Sequence, residues 1–259
     1  MRPRRLLLAP LFVLTLIGST VTTIAADSNP AQAGFNLAES DAKAIAIADA
    51  TMVAMGGRKA WDNTRHVTWR FFGNRLHVWD KFTGDHRFEN KDVTVLSNLN
   101  TGEGRAWKAG VEITDRTERS EALTSAKGAW INDAYWLAMP YKLKDSGVTL
   151  QYVGVKDDPA GATCDVLQLT FQEVGNTPDN KYNVYVDQDT GLVSQWMFWH
   201  KFDDAEARDL GPWTDWKKHG DILLAHGHGK RDHTDIGVFQ VLPASVYSDP
   251  AAFVIADHK

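Results

Sequence analysis

Four histidines fall within fifteen residues, His219, His226, His228 and His233, with Asp221, Asp232 and Asp235 among them. On a strand, His226 and His228 would share a face, as a two-histidine metal site requires. That spacing supports one reading, a metal-dependent hydrolase built on residues 219–233. The other reading is a wet polar edge, because Gly227, Gly229, Lys230 and Arg231 make the segment flexible and basic. The more specific zinc pattern His-Glu-x-x-His is absent. A second group, His77, Asp80 and His86, lies in neighbouring expected strands near Arg70 and Arg87. It has the residue types of an acid/base cluster, but cross-strand charge pairing, Asp80 with Arg87 in particular, accounts for it more simply. Cys164 follows Ala162-Thr163 in an expected strand and reads as a small buried apolar residue rather than a nucleophile. No Gly-x-Ser-x-Gly elbow and no phosphate-cradling glycine loop occurs. The sequence therefore assigns no catalytic residue, no metal ligand set and no cofactor.

The aromatic inventory carries the stronger signal. Ten Trp, eleven Phe and six Tyr in 259 residues exceed what a core of this size demands. With 28 basic and 33 acidic residues the formal net charge is −5. Nucleic acid is a poor partner for such a chain, since phosphate neutralisation needs a basic excess or stripe. A single cysteine excludes an internal disulfide framework and a four-cysteine zinc site.

The chain opens with Arg2, Arg4 and Arg5, an apolar run over residues 6–17, and the small-residue exit Ile24-Ala25-Ala26. This is the pattern of a secretory signal peptide, expected over residues 1–26 with cleavage after Ala26, and with residues 31–33 as a second site. The apolar run is short for a membrane span, which needs ~20 residues. Loss of those three arginines would leave 25 basic and 33 acidic residues, net −8. A soluble, periplasmic protein is expected, with residues 27–259 forming one domain.

Periodicity supplies the elements that must position any site. Ile45, Ala48, Met52 and Met55 recur at helical spacing over residues 38–55, and Gly56-Gly57 ends the helix. From His66 the period becomes two. Taking Gly73-Asn74 as a two-residue hairpin turn sets Phe71 opposite Leu76 and Trp69 opposite Val78 on one apolar face. A turn at Thr83-Gly84 likewise sets Asp80 opposite Arg87. Strands are expected over 92–99 and 104–111, and a helix follows over 116–137, its stripe formed by Leu123, Ala126, Trp130, Ala134 and Leu137. Further strands are expected over 148–155, 164–174, 182–187, 193–202, 213–218 and 222–229, with Leu167, Leu169 and Phe171 alternating on one of them. The fold class is α+β: about ten antiparallel strands in a curved sheet, covered by an N-terminal helix and an inserted helix.

Several local stretches carry a family resemblance: 54–61 (Ala-Met-Gly-Gly-Arg-Lys-Ala-Trp), 76–80 (Leu-His-Val-Trp-Asp), 167–171 (Leu-Gln-Leu-Thr-Phe), 185–187 (Tyr-Val-Asp) and 190–193 (Thr-Gly-Leu-Val). With the order helix, Gly-Gly, meander, inserted helix ending in Met139-Pro140-Tyr141, then a second meander, the chain resembles lipoprotein carriers of the LolA/LolB type, in an exported branch. The resemblance implies an unclosed half-barrel with helices as a lid over an apolar cavity that holds acyl chains. It also implies a carrier or sensor whose partners are lipid or lipoprotein acyl chains and an envelope protein. The cavity lining expected here comprises Trp69, Phe71, Leu76 and Val78 of the first hairpin, and Trp130 and Leu137 of the inserted helix. Leu167, Leu169 and Phe171 complete it.

Overall fold

The computed structural model describes residues 29–172 and 179–258. The expected signal peptide, residues 1–26, lies outside the described residues, as does the end of the strand expected over 164–174.

The N-terminal helix α1 (Ala42–Ala54) ends where the sequence places Gly56-Gly57, and a short α2 (Arg58–Asn63) follows. Six strands come next: β1 (His66–Phe71), β2 (Arg75–Asp80), β3 (Asp85–Asn90), β4 (Val93–Asn98), β5 (Gly104–Lys108) and β6 (Val111–Glu112). The long helix α3 (Arg116–Ala138) then interrupts the meander. Its first turn is fixed by Asp115, whose carboxylate accepts from the backbone N–H groups of Thr117 and Glu118. A second run follows: β7 (Val148–Asp157), β8 (Thr163–Phe171), β9 (Lys181–Asp187), β10 (Val193–Trp199) and β11 (Arg208–Pro212). Last come β12 (Thr214–His219), β13 (Ile222–Gly227) and β14 (Thr234–Phe239).

All pairings are antiparallel. The strands form a seven-stranded sheet ordered β14-β1-β2-β3-β4-β5-β6, a five-stranded sheet ordered β11-β10-β9-β8-β7, and the two-stranded β12-β13. The class is α+β and the sheet is not closed into a barrel. The helix α3 bridges both large sheets. Its N-terminal half, through Ala122, Leu123 and Ala126, packs on Phe88, Val95 and Ala106 of the seven-stranded sheet. Its C-terminal half sends Ala134 and Leu137 against Trp69 and Phe71, and Tyr135 and Trp136 toward the five-stranded sheet. No helix among the described residues is long and apolar enough to cross a membrane.

The first hairpin departs from the sequence expectation by one residue. Phe71 faces Arg75, Arg70 faces Leu76, Trp69 faces His77 and Thr68 faces Val78. The turn uses three residues, because Phe72 adopts a positive φ of 48° ahead of Gly73 at 72°. A one-residue slip moves a strand's side chains to the opposite face. Trp69 and Phe71 therefore share their face with Arg75 and His77, and Leu76 and Val78 lie on the other. At the next turn the displacement is two residues, so that Arg87 faces Val78 in place of Asp80 and the faces are kept. Asp80 instead receives Arg65 at 2.9 Å.

Both faces of this sheet are covered. Trp69 and Phe71 are buried with Met52, Met55, Leu137 and Ile222. On the opposite face Val78 packs with Leu242 and Val246 of the C-terminal segment. The buried Arg87 secures that segment, donating to the carbonyls of Val246 (3.1 Å) and Asp249 (2.8 Å).

Gly56 is the most constrained turn position. Its φ is +111°, and a Cβ there would lie 2.2 Å from the Asp221 carbonyl oxygen. The close approach allows Leu223 N–H to reach the Met55 carbonyl at 3.0 Å, while the single hydrogen of the Tyr141 hydroxyl is shared between the carbonyls of Met55 and Leu223, 2.9 and 2.7 Å away. Gly56→Ala is expected to lower stability by about 1–3 kcal/mol or more, from strain alone, read as the urea midpoint. Gly57→Ala, with open space around its Cβ, would bear only the positive-φ cost.

Candidate functional site

A ring of aromatic side chains lies where α3, the first hairpin and the five-stranded sheet meet. Trp136 of α3 meets Trp196 of β10 edge-on at 4.6 Å between ring centres. Trp196 contacts Trp213 at 5.3 Å, and Trp213 contacts His228 at 4.7 Å. His228 is 4.6 Å from His233. Phe72 of the hairpin turn stacks on His233 at 5.4 Å and returns to Trp136 at 5.2 Å. The six rings close on themselves. From Trp196 the array runs outward to Tyr182, stacked at 5.5 Å, and on to Phe171 at 5.8 Å. Trp196, Trp213, His228 and His233 are buried; Phe72, Trp136, Tyr182 and Phe171 are half-buried and form its rim.

Polar atoms inside this ring lack partners. Neither ring nitrogen of His228 or His233 has a hydrogen bond among the described residues, nor do the indole N–H groups of Trp196 and Trp213. Burial drives the His228 pKa down to about 4; Asp232 and a nearby Pro212 carbonyl oppose the shift without prevailing. Burial likewise pushes His233 down to about 2, with His228, His226 and His77 adding to the effect and Asp133 opposing it. Both imidazoles are neutral at pH 7. They offer donor and acceptor atoms in a buried, largely aromatic enclosure.

The expected polar strand edge is thus two separate pairs. Strand β13 ends at Gly227, so His226 and His228 do not form one two-histidine face. His226 instead sits on His219, Nε2 to Nε2 at 2.8 Å. Among the described residues, no group of three or more His, Cys, Asp and Glu is arranged to hold a metal ion. Cys164 is buried, its thiol pKa raised by burial.

A buried charge network anchors the helix beneath the ring. The Asp133 carboxylate, with its side chain fully enclosed, takes Arg75 in two bonds of 2.6 and 2.7 Å. It also takes His77 Nε2 at 2.8 Å and Asn132 Nδ2 at 2.9 Å. His77 Nδ1 lies 3.0 Å from His86 Nε2. With Asp133 ionised, His77 carries its proton on Nε2, so Nδ1 accepts from His86 Nε2–H. Those hydrogen bonds hold the Asp133 pKa below the usual carboxylate value against the opposing pull of burial. Burial lowers the pKa values of His77 and His86. This chain of bonds positions α3 on the seven-stranded sheet.

The residues expected to line a cavity are distributed more widely than one pocket allows. Leu167, Leu169 and Phe171 do share a face of β8, with the two leucines in the core against the N-terminal helix and Trp196. Leu137 and the half-buried Trp130 lie with Trp69 and Phe71. Leu76 and Val78 are buried on the far face. The sequence reading missed Phe72, Trp136, Tyr182, Trp196, Trp213 and the burial of both histidines. A cleft of about 130 Å³ between α3 and the β4–β5 edge, lined by Ser97, Leu99, Leu123 and Lys127, is smaller than the usual ~300–1,000 Å³ small-molecule pocket.

No protein-family model matches the chain, and no curated protein matches it. Among solved structures, a DUF1329 family protein from Desulfovibrio piger is a structural neighbour, with 12% sequence identity and a TM-score of 0.39 over 80% of this chain and 98% of that chain.

Proposed function

We propose that this protein binds a hydrophobic, acyl-chain ligand as a carrier or sensor, acting in the periplasm after removal of residues 1–26. One observation carries the reading: aromatic rings run continuously from the half-buried rim at Phe171 and Tyr182 to the buried Trp196, between α3 and the five-stranded sheet. Such a layer is apolar, and half-exposed at one end. It gives an alkyl chain a path inward once α3 moves aside. The LolA/LolB-like resemblance, in which helices cover an acyl-chain site, points the same way. Lipid or lipoprotein acyl chains are the proposed ligands, and an envelope protein the proposed partner.

On this reading Phe171, Trp136 and Tyr182 contact the chain. Leu167 and Leu169 form its floor, and Trp69, Phe71, Trp130 and Leu137 support the helix that covers it. A fluorescent long-chain probe titrated into the purified protein is expected to saturate at one per chain. Tyr182→Ser is expected to weaken it about tenfold or more while the protein stays folded, since each lost aromatic contact removes apolar area from the site. Absence of saturable binding in the unmodified protein overturns the proposal.

A further inference from the structure

We propose that the His228–His233 pair is the head-group site of this module and selects a monocarboxylic acid, bound together with one proton. The inference rests on the hydrophobic-ligand reading and adds the chemical class of the ligand. Its first support is the set of unpartnered atoms. Among the described residues, four ring nitrogens and two indole N–H groups are buried in one closed ring of aromatic contacts with no hydrogen-bond partner at bonding geometry, the Pro212 carbonyl being the nearest acceptor to His228. Buried polar groups in native proteins are satisfied with few exceptions. Six in one place mark a site built for a polar guest.

The donor count narrows the guest. Two neutral imidazoles supply two N–H donors and two bare nitrogens, and the indoles of Trp196 and Trp213 add two more donors. Four donors against two acceptors favour a group rich in oxygen lone pairs that also carries one hydrogen. A protonated carboxyl meets that description: its carbonyl oxygen accepts N–H, and its O–H donates to a bare imidazole nitrogen. A hydroxyl supplies too few acceptors, and an ester cannot donate.

Placement adds a second argument. The pair lies at the inner end of the aromatic array, where the head of an inserted chain would arrive. Phe72 covers His233 from a strained turn position and is itself half-buried, with the Arg231 guanidinium 5.9 Å from its ring centre. Movement of that one ring would open one side of the imidazole beside Arg231.

The proton follows from electrostatics. The groups facing the pair are Asp133 on α3, His77 on β2 and His226 on β13. Asp232 on the intervening segment also acts on His228, while Arg231 lies over Phe72 and Arg70 and Asp235, on β1 and β14, are paired with each other. Asp133 is already committed to Arg75 and His77, and among the described residues no free cation is buried at the pair to neutralise an incoming carboxylate. A carboxylate entering from neutral solution must therefore take one proton from water, onto itself or onto an imidazole.

Calorimetric titration of the full mature protein with dodecanoate, dodecanol and methyl dodecanoate at pH 6, 7 and 8 tests this. Dodecanoate is expected to bind most tightly at pH 6, to weaken about tenfold per pH unit, and to take up close to one proton in buffers of different ionisation enthalpy. Dodecanol and the ester are expected to show no pH slope. His233→Phe and His228→Phe, checked for native melting, are each expected to weaken dodecanoate at least tenfold and leave dodecanol unchanged. Dodecanoate binding without proton uptake in the unmodified protein, or equal in both variants, overturns the head-group assignment while hydrophobic binding stands. Failure of all three ligands to bind overturns both.

Discussion

Asp133→Ala is expected to destabilise the protein by about 3–5 kcal/mol, the usual cost of removing one partner from a buried charge pair. Three groups lose their acceptor at once: Arg75, His77 and Asn132. His77 is fully enclosed and has no route to water, whereas the Arg75 side chain keeps 31% exposure and can turn outward. The effect therefore belongs near the lower end of that range. Urea denaturation with an unchanged slope is the measurement. The combined change Asp133→Leu, Arg75→Met and His77→Leu is expected to regain most of the loss, because no unpaired charge remains. A loss below about 1 kcal/mol for Asp133→Ala would mean that the network does not hold α3.

Acid is expected to weaken the fold well before its carboxylates protonate. Histidines in the unfolded chain bind protons near pH 6.5, while in the folded state His228 waits until about pH 4 and His233 until about pH 2. The unfolded state thus binds more protons below pH 6.5, and stability falls as pH falls. Between pH 7 and pH 5 each such histidine contributes about 2 kcal/mol, so the pair accounts for about 4 kcal/mol. His77 and His86, also lowered, act in the same direction. Asp133 adds a separate loss only at lower pH: its folded pKa is depressed, so its contribution persists until pH falls through that value. Stability measured by urea at pH 7 and pH 5 should show the drop, and His228→Phe/His233→Phe should remove about 4 kcal/mol of it. Equal stability at the two pH values would contradict the burial of neutral imidazoles.

Much of the architecture is legible in the sequence because it is written locally. The switch from helical to alternating period at His66, the Gly56-Gly57 stop and the apolar stripe of α3 each lie within one element. The observed α3, Arg116–Ala138, differs from the expected helix by one residue. The hairpin register was not legible, since Gly73-Asn74 resembles a two-residue turn while Phe72 supplies a third residue at positive φ. β14 pairing with β1 joins segments far apart in sequence, and no local pattern announces it.

The site was hidden for the same reason. His77 and Asp133 are 56 residues apart, and His233 is covered by Phe72 from the other end of the chain. Charge-rich neighbours such as Lys230 and Arg231 made the histidine segment look solvated. What buries the two histidines is tertiary packing, by Trp136 and Trp213 on His228 and by Phe71 and Phe72 on His233.

Native mass spectrometry of the purified mature protein, followed by organic extraction, tests the central claim most directly. The account requires a fraction of molecules carrying a lipid-sized adduct that extraction releases, with the stripped protein rebinding dodecanoate one to one. Protein of bare polypeptide mass that takes up no dodecanoate would contradict it.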